Sequence, residues 1–295
     1  MIEESRFKGP LYMVAASVCW SLGGVCIHFI PWSAMSIIGL RALLAALVFA
    51  VYRKGFKINF TTGNIIAGIC LSCTTILFVF ANQLTTAAAA ILLQFTSPVW
   101  VLIIRFIFYK KKPKLGEIIA VSVTLMGMAL FFADELSAGN TLGNILAIGS
   151  GLSFAGVIMG NKRKDSDPGH SIFLGFIINA VIWTPFVFFD KGITIDFLPW
   201  ALIFVMGVIQ VGLAYIFFTI GIRRTSALLA VLTTALEPIL NPVWVAIATP
   251  QMPGRFALLG GIVIILSIVG YNVWELNKTP PTSLRAEGEA IQEKE

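Results

Sequence analysis

The sequence predicts an all-α integral membrane protein. Ten transmembrane helices form two inverted five-helix repeats, with both termini cytoplasmic. Three observations carry this expectation. Apolar residues fall into runs of roughly 20, the length that crosses a hydrocarbon core about 30 Å thick. Basic residues gather in alternate loops. A stretch of the first half returns in the second half at a constant offset of 140 residues.

Of the 295 residues, 57% are hydrophobic and only 12% are charged. A soluble domain carries about 25% charged residues. With a mean hydropathy of +0.88, the chain is no ordinary soluble globule. Its net charge of +6 matches the basic cytoplasmic loops of polytopic proteins. No nucleic-acid-reading motif accompanies that charge, so no nucleic-acid partner is expected. Cys19, Cys26, Cys70 and Cys73 all lie in apolar runs. The CxxC spacing of Cys70-Leu-Ser-Cys73 has no second pair, so these read as small hydrophobes rather than metal or redox ligands. The first apolar run starts near Pro10 and is too long for a cleavable signal peptide.

The ten spans are expected at 10–29, 32–52, 63–82, 86–109, 115–133, 141–161, 170–190, 197–220, 225–248 and 255–275. Residues 1–9 form a cytoplasmic N-terminus, 10–133 the first repeat and 141–276 the second. Residues 277–295, rich in Pro, Ser, Ala and Glu, form a disordered cytoplasmic tail. Alternate loops carry Arg53, Lys54 and Lys57; Lys110, Lys111, Lys112 and Lys114; Lys162, Arg163 and Lys164; and Arg223 and Arg224. The other loops hold only Lys191 and Arg255. Basic loops stay cytoplasmic, which sets the orientation and supports an even count.

The repeat aligns TTAAAAILLQFTSP (Thr85–Pro98) with TSALLAVLTTALEP (Thr225–Pro238). Both begin Thr-Thr/Ser-Ala and end in proline. Five helices per half is an odd number, so the halves enter the membrane in opposite senses. That architecture belongs to many secondary transporters, whose site lies near the midplane between the halves.

Four motifs carry a family resemblance: Cys19-Trp20-Ser21, Leu40-Arg41-Ala42-Leu43-Leu44, the paired Thr-Thr/Ser-Ala starts, and Leu236-Glu237-Pro238. With these the chain resembles the drug/metabolite transporter superfamily, specifically the bacterial EamA-type ten-helix transporters, over about residues 7–276. One departure is Thr249-Pro250-Gln251, which stands where the family usually has a Gly-Glu pair. The resemblance implies a central cavity lined by helices 1–4 and 6–9, with helices 5 and 10 peripheral. It also implies export of amino acids or related metabolites across the plasma membrane.

Few ionisable groups lie deep in the spans. Arg41 and Glu237 fall about 13 Å and 16 Å from the outer ends of helices 2 and 9, at roughly 1.5 Å per residue. A lone charge at the bilayer centre costs at least roughly 2.5–3.5 kcal/mol, so each must face a partner or a wet cavity. Glu237 either binds a cationic group or an exchangeable proton, or clamps the helix broken by Pro238. Arg41 either anchors a substrate carboxylate or phosphate, or pairs with Glu237. Thr233, Glu237, Asn241 and Trp244 are spaced to form one polar and aromatic stripe on a helix. Its mate on helix 4 carries Gln94, with Arg105 snorkelling near the cytoplasmic end. Pro98 and Pro238 are hinge candidates at equivalent depth. Further candidate substrate contacts are Trp20 and Ser21, Thr74 and Phe78, Asn179 and Trp183, and Gln210 and Tyr215, each weighed against plain packing. His28 reads as interfacial. Lys110–Lys112 read as topology determinants.

No Walker loop, HExxH or nucleophile–base pair is present. The expected function is therefore secondary active transport of a small polar metabolite by alternating access, with protons as a candidate coupling ion and no cofactor or ATPase subunit. The assembly is a monomer or homodimer in the lipid bilayer. An organic-cation or drug exporter of the same fold is the alternative within the class. An intramembrane enzyme or lipid-handling protein is the alternative outside it.

Overall fold

A computed structural model describes residues 2–134, 140–248 and 254–278. All regular structure among them is helical: α1 (Ile2–Ser21), α2 (Gly23–His28), α3 (Ala34–Tyr52), α4 (Thr62–Leu84), α5 (Ala87–Gln94), α6 (Ser97–Tyr109), α7 (Leu115–Phe131), α8 (Thr141–Gly160), α9 (Pro168–Trp183), α10 (Phe197–Val205), α11 (Ala214–Arg224), α12 (Ala227–Thr233), α13 (Leu236–Ala248) and α14 (Arg255–Lys278). A 3₁₀ turn, Thr184–Phe189, tightens the end of α9, and a π-helical stretch, Met206–Leu213, joins α10 to α11. Among the described residues, seven stretches are long and apolar enough to cross a membrane: Ala34–Tyr52, Thr62–Leu84, Ala87–Tyr109, Thr141–Gly160, Pro168–Phe189, Phe197–Arg224 and Arg255–Glu275. Leu115–Phe131 and Ala227–Asn241 are shorter apolar helices.

Helix starts follow from local chemistry. Ser33, Thr61, Thr86 and Ser226 each accept a backbone N–H three residues on, opening α3, α4, α5 and α12. Such an N-cap contributes about 1 kcal/mol. Asp167 opens α9 by accepting from the Gly169 N–H at 2.8 Å, and Pro168 follows in the first turn, where its missing donor costs nothing.

The first and last helices differ from expectation at their ends. The first helix begins at Ile2, because its polar first turns carry no hydropathy signal, and it breaks at Leu22 instead of running to 29. The last helix continues to Lys278. Of the expected tail over 277–295, residues 277 and 278 end this helix; the rest, and Thr249-Pro250-Gln251, lie outside the described residues.

In lipid there is no hydrophobic drive between helices, so small residues and polar ties set the contacts. The α4–α8 seam shows this: a Cβ on Gly156 or Gly160 would lie 2.6 Å from Cys70 Sγ or 2.9 Å from the Ala67 Cβ. Helix α4 packs on α8 and α9, α1 on α11, and α3 on α9 and the π stretch. The α5–α6 pair lies on α8, and α12–α13 lie on α1. Helices α7 and α14 pair with each other, tied by Thr124 Oγ1 donating to Ser267 Oγ at 3.0 Å. Phe49, Phe173, Phe218, Met13, Leu71 and Met128 fill the interior. Large apolar residues such as Val51, Phe108, Met126, Val181 and Leu266 point outward, as lipid contact requires.

Candidate functional site

The repeat's two long apolar stretches are both broken. Helix α5 ends at Gln94 and α6 begins at Ser97; α12 ends at Thr233 and α13 begins at Leu236. The breaks come just before the prolines, which lie in the first turns of α6 and α13 where a missing N–H is tolerated. Threonines satisfy the freed carbonyls: Thr96 Oγ1 donates to Leu93 O and Thr234 Oγ1 to Val231 O, both at 2.7 Å. Helix α1 braces one break through Ser17 Oγ, which donates to Thr233 O at 3.1 Å. Helix α8 braces the other: a Cβ on Gly151 would lie 2.6 Å from Gln94 O.

Between the breaks lies a cavity of about 680 Å³. Its walls come from Trp20 on α1, Arg41 on α3, Thr74, Phe78 and Asn82 on α4, Gln94 at the first break, and Asn179 on α9. Gln210, Tyr215, Glu237, Pro238 and Asn241 complete the ring. The cavity reaches Trp32, Ala34 and Gln83, beside the turns at one end of the bundle. At its deep end the Tyr215 ring stands edge-on to Trp20 (5.0 Å) and Phe176 (5.3 Å), and Phe176 stands edge-on to Phe49 (5.2 Å). This aromatic layer separates the cavity from the end that carries the basic loops.

Most polar walls are already engaged. Gln94 Nε2 donates to Ser150 Oγ at 2.9 Å, and that hydroxyl donates to Thr74 O at 3.0 Å. Asn179 accepts from Ser72 Oγ at 2.8 Å. Asn82 donates to Phe78 O at 2.9 Å, and Gln210 donates to Trp20 O at 3.2 Å while its Oε1 stays buried without a partner. Arg41 and Glu237 are different. They lie close enough to influence each other and Tyr215 electrostatically. Among the described residues neither makes an ion pair or a hydrogen bond, and both line the cavity. Glu237 falls in the first turn of α13, where the helix dipole favours an anion by about 0.3–1 kcal/mol.

Of the sequence candidates, Trp20, Arg41, Thr74, Phe78, Gln94, Asn179, Gln210, Tyr215, Glu237, Asn241 and Pro238 meet around this one cavity. Ser21, Trp183, Thr233, Trp244 and Pro98 do not line it. Ser21 Oγ accepts from Trp244 Nε1 at 2.7 Å, which ties α1 to α13. Thr233 is buried and donates to Leu229 O at 2.7 Å. Trp183 packs between Phe80 and Phe186. Pro98 is buried at the start of α6. Thr234, Thr75 and Gln83 line the cavity without having been singled out by the sequence. Arg105, near the end of α6, pairs with Glu117 at 2.7 Å.

The basic end is fastened by polar ties. Asp167 bridges Arg223 at 2.7 Å, Asp165 accepts from the Gly63 N–H at 2.9 Å, and Lys162 Nζ donates to Thr225 O. Against a desolvation penalty, the Gly169 N–H and the Arg223 guanidinium hold the Asp167 carboxyl below the usual range. At the other end, burial opposes but the Ser36 and Ser33 hydroxyls and the Gly192 and Ser33 N–H groups hold Asp190 at about 2.

The EamA-like transporter family pattern matches this chain twice, over residues 7–133 and 141–273. The chain belongs to the EamA-like transporter family. Family membership makes it a multi-pass membrane transporter. The uncharacterized transporter YwfM of Bacillus subtilis is 26% identical over 242 residues, covering 78% of this chain and 81% of the relative. YxxF of the same organism, also an uncharacterized transporter, is 23% identical over 214 residues, covering 71% and 68%. A crystal structure described only as that of a protein superposes with a TM-score of 0.74 at 16% identity, over 90% of this chain and 96% of that one. That likeness shows a shared fold.

Proposed function

We propose that this EamA-like protein is a ten-span, inverted-repeat secondary transporter of the plasma membrane, with both termini cytoplasmic. It moves a small polar metabolite, an amino acid or a related compound, by alternating access. The observation that carries the reading is the unpaired Arg41 and Glu237 facing one cavity of about 680 Å³. Two opposite charges held apart inside a membrane protein are costly unless an occupant or water completes them. Arg41 receives the anionic part of the substrate. Glu237 receives its cationic part or a coupling proton. The aromatic layer of Trp20, Phe176 and Tyr215 is the closed gate on the cytoplasmic side, and the ties at Asp167 and Lys162 reinforce it. The exchange of α4–α8 for α11–α1, and of α5 on α8 for α12 on α1, supports the inverted repeat. Export as the direction rests on family resemblance.

A second reading, an organic-cation exporter, is favoured by Trp20, Phe78 and Tyr215 around Glu237. Cation–π contacts there contribute roughly 0.5–2 kcal/mol each. Proteoliposome transport of amino acids, polyamines and quaternary ammonium compounds tests both readings. In the first, Glu237→Gln and Arg41→Gln each abolish transport of a zwitterion. In the second, Arg41→Gln spares transport of a cation while Glu237→Gln abolishes it. Wild-type rates in Glu237→Gln, with unchanged pH dependence, remove Glu237 from both.

A further inference from the structure

Away from the cavity, at the basic end of the bundle, a second concavity of about 460 Å³ lies where α3, α9 and α11 end together. Arg53, Lys57, Asp167, His170, Thr219 and Arg223 are among its lining residues. Arg53 is held in place on three sides. Its guanidinium carbon lies 4.9 Å over the Phe173 ring, and its Nη2 donates to Lys57 O at 2.5 Å and to His170 Nδ1 at 2.6 Å. The Asn59 backbone N–H also donates to His170 Nδ1, at 3.0 Å. With two donors aimed at that nitrogen, the ring acts as an acceptor that orients Arg53.

One nitrogen of this fixed fork is unused. Arg53 Nη1 is buried and has no hydrogen-bond partner among the described residues. Thr219, only 5% exposed, presents a buried Oγ1 that is also without a partner. The charges in the wall do not balance. Arg53, Lys54, Lys57 and Arg223 face a single carboxylate, Asp167, which is already taken by Arg223 and by the Gly169 N–H. A rigid guanidinium edge, a spare hydroxyl and excess positive charge match a tetrahedral oxyanion, which accepts several charge-assisted hydrogen bonds at once.

We propose that this pocket is a binding site for a phosphate group, from either an anionic lipid headgroup or a soluble phosphate ester. Arg53 Nη1 and Thr219 Oγ1 donate to the phosphate oxygens, and Lys57 and Arg223 balance the charge. The site is separate from the transport cavity. Because its walls belong to three helices, an occupant ties the basic end together.

The test is thermal unfolding of the purified full chain in a neutral detergent at constant ionic strength. It is titrated separately with inorganic phosphate, dihexanoyl phosphatidylglycerol and dihexanoyl phosphatidylcholine. A saturable rise in unfolding temperature with phosphatidylglycerol alone identifies a lipid headgroup; a saturable rise with inorganic phosphate identifies a soluble ligand. In either case Arg53→Gln raises the half-saturating concentration about tenfold, the loss of one strong charge-assisted contact. The combined Lys110→Gln, Lys111→Gln and Lys112→Gln variant, in another basic loop, leaves it unchanged. Thr219→Val and Lys57→Gln, milder changes, shift it in the same direction as Arg53→Gln and serve if that variant does not fold. The proposal fails if neither phosphate compound gives saturation, or if the Lys110–Lys112 variant weakens binding as much as the pocket variants do. It also fails if Thr219→Val and Lys57→Gln both leave half-saturation unmoved.

Discussion

Gly151→Ala puts one methyl group where helix α8 presses on the first broken helix. Built on the present backbone, that Cβ lies 2.6 Å from Gln94 O and 3.0 Å from Thr96 Oγ1. Ordinary contact begins at 3.4 Å, so the carbonyl contact is short by about 0.8 Å. The obstructing atom belongs to the backbone and cannot swing aside. Either α8 or the break must move, and overpacking of this kind costs about 1–3 kcal/mol. Gly270→Ala, in α14, is the matched control. Nothing lies within 4 Å of its added Cβ, and alanine is better than glycine inside a helix by about 0.5–1 kcal/mol. Thermal unfolding of the two variants beside wild type, in one detergent, should therefore move in opposite directions. Gly151→Ala should also weaken ligand binding in the cavity, because Gln94 is both the residue displaced and a cavity wall. If Gly151→Ala is as stable as wild type and binds ligand equally well, α8 does not set the position of the break.

Ser226→Ala removes the N-cap of α12 and its 3.0 Å contact with Glu275 Oε2, and should cost about 0.5–2 kcal/mol in chemical or thermal unfolding. A variant as stable as wild type refutes the capping role. Burial pushes the Lys162 ammonium down to about 8, with Glu275 opposing, from an ordinary value of 10.5. Between those values the unfolded chain binds more protons than the folded one, so stability should rise with pH across that window. Lys162→Met should flatten that rise relative to wild type in thermal unfolding from pH 7.5 to 10. The Asp167–Arg223 pair is half exposed, so Arg223→Gln should change the unfolding free energy little, by about 0–1 kcal/mol. If the pair helps close the basic end, the same variant should still alter transport rates in proteoliposomes.

The helical content was legible because hydropathy leaves a long, coarse signal, and rare charges in apolar runs picked out Arg41 and Glu237, which line the cavity. The Thr86/Ser226 match was legible as a repeat, and the structure gives its cause: both hydroxyls cap helices. What failed was periodicity across a break. The stripe of Thr233, Glu237, Asn241 and Trp244 assumed one continuous helix, but the turn at 234–235 rotates one half against the other. Thr234 therefore reaches the cavity in place of Thr233. Trp244 shares α13 with Glu237 and Asn241, and it donates to Ser21 instead of lining the cavity. The π stretch around Gln210 is invisible for the same reason, since no 3.6-residue pattern encodes it. Trp183 shows the opposite limit: its place within the expected span 170–190 fits a cavity wall as well as the aromatic packing it adopts at the end of α9.

The carboxylate beside a proline in an apolar run can now be explained physically. Pro238 cannot supply an N–H, so the chain places it in the first turn of a new helix, where none is needed. Starting a helix beside the cavity leaves its first N–H groups inside the bundle, and these favour a nearby anion. Glu237 occupies that turn. The same break that tolerates the proline thus stabilises the charge, and the charge keeps the break polar. A merely structural clamp would complete itself with the guanidinium on α3. Arg41 is within electrostatic reach yet unpaired, and both side chains line the same cavity. Closing the pair would fill the space between them, whereas leaving it open keeps a site of both signs for an occupant. Replacing Glu237 by Gln keeps the shape and removes the charge, so stability and ligand recognition should separate in that variant: a small change in unfolding temperature and a large loss of binding.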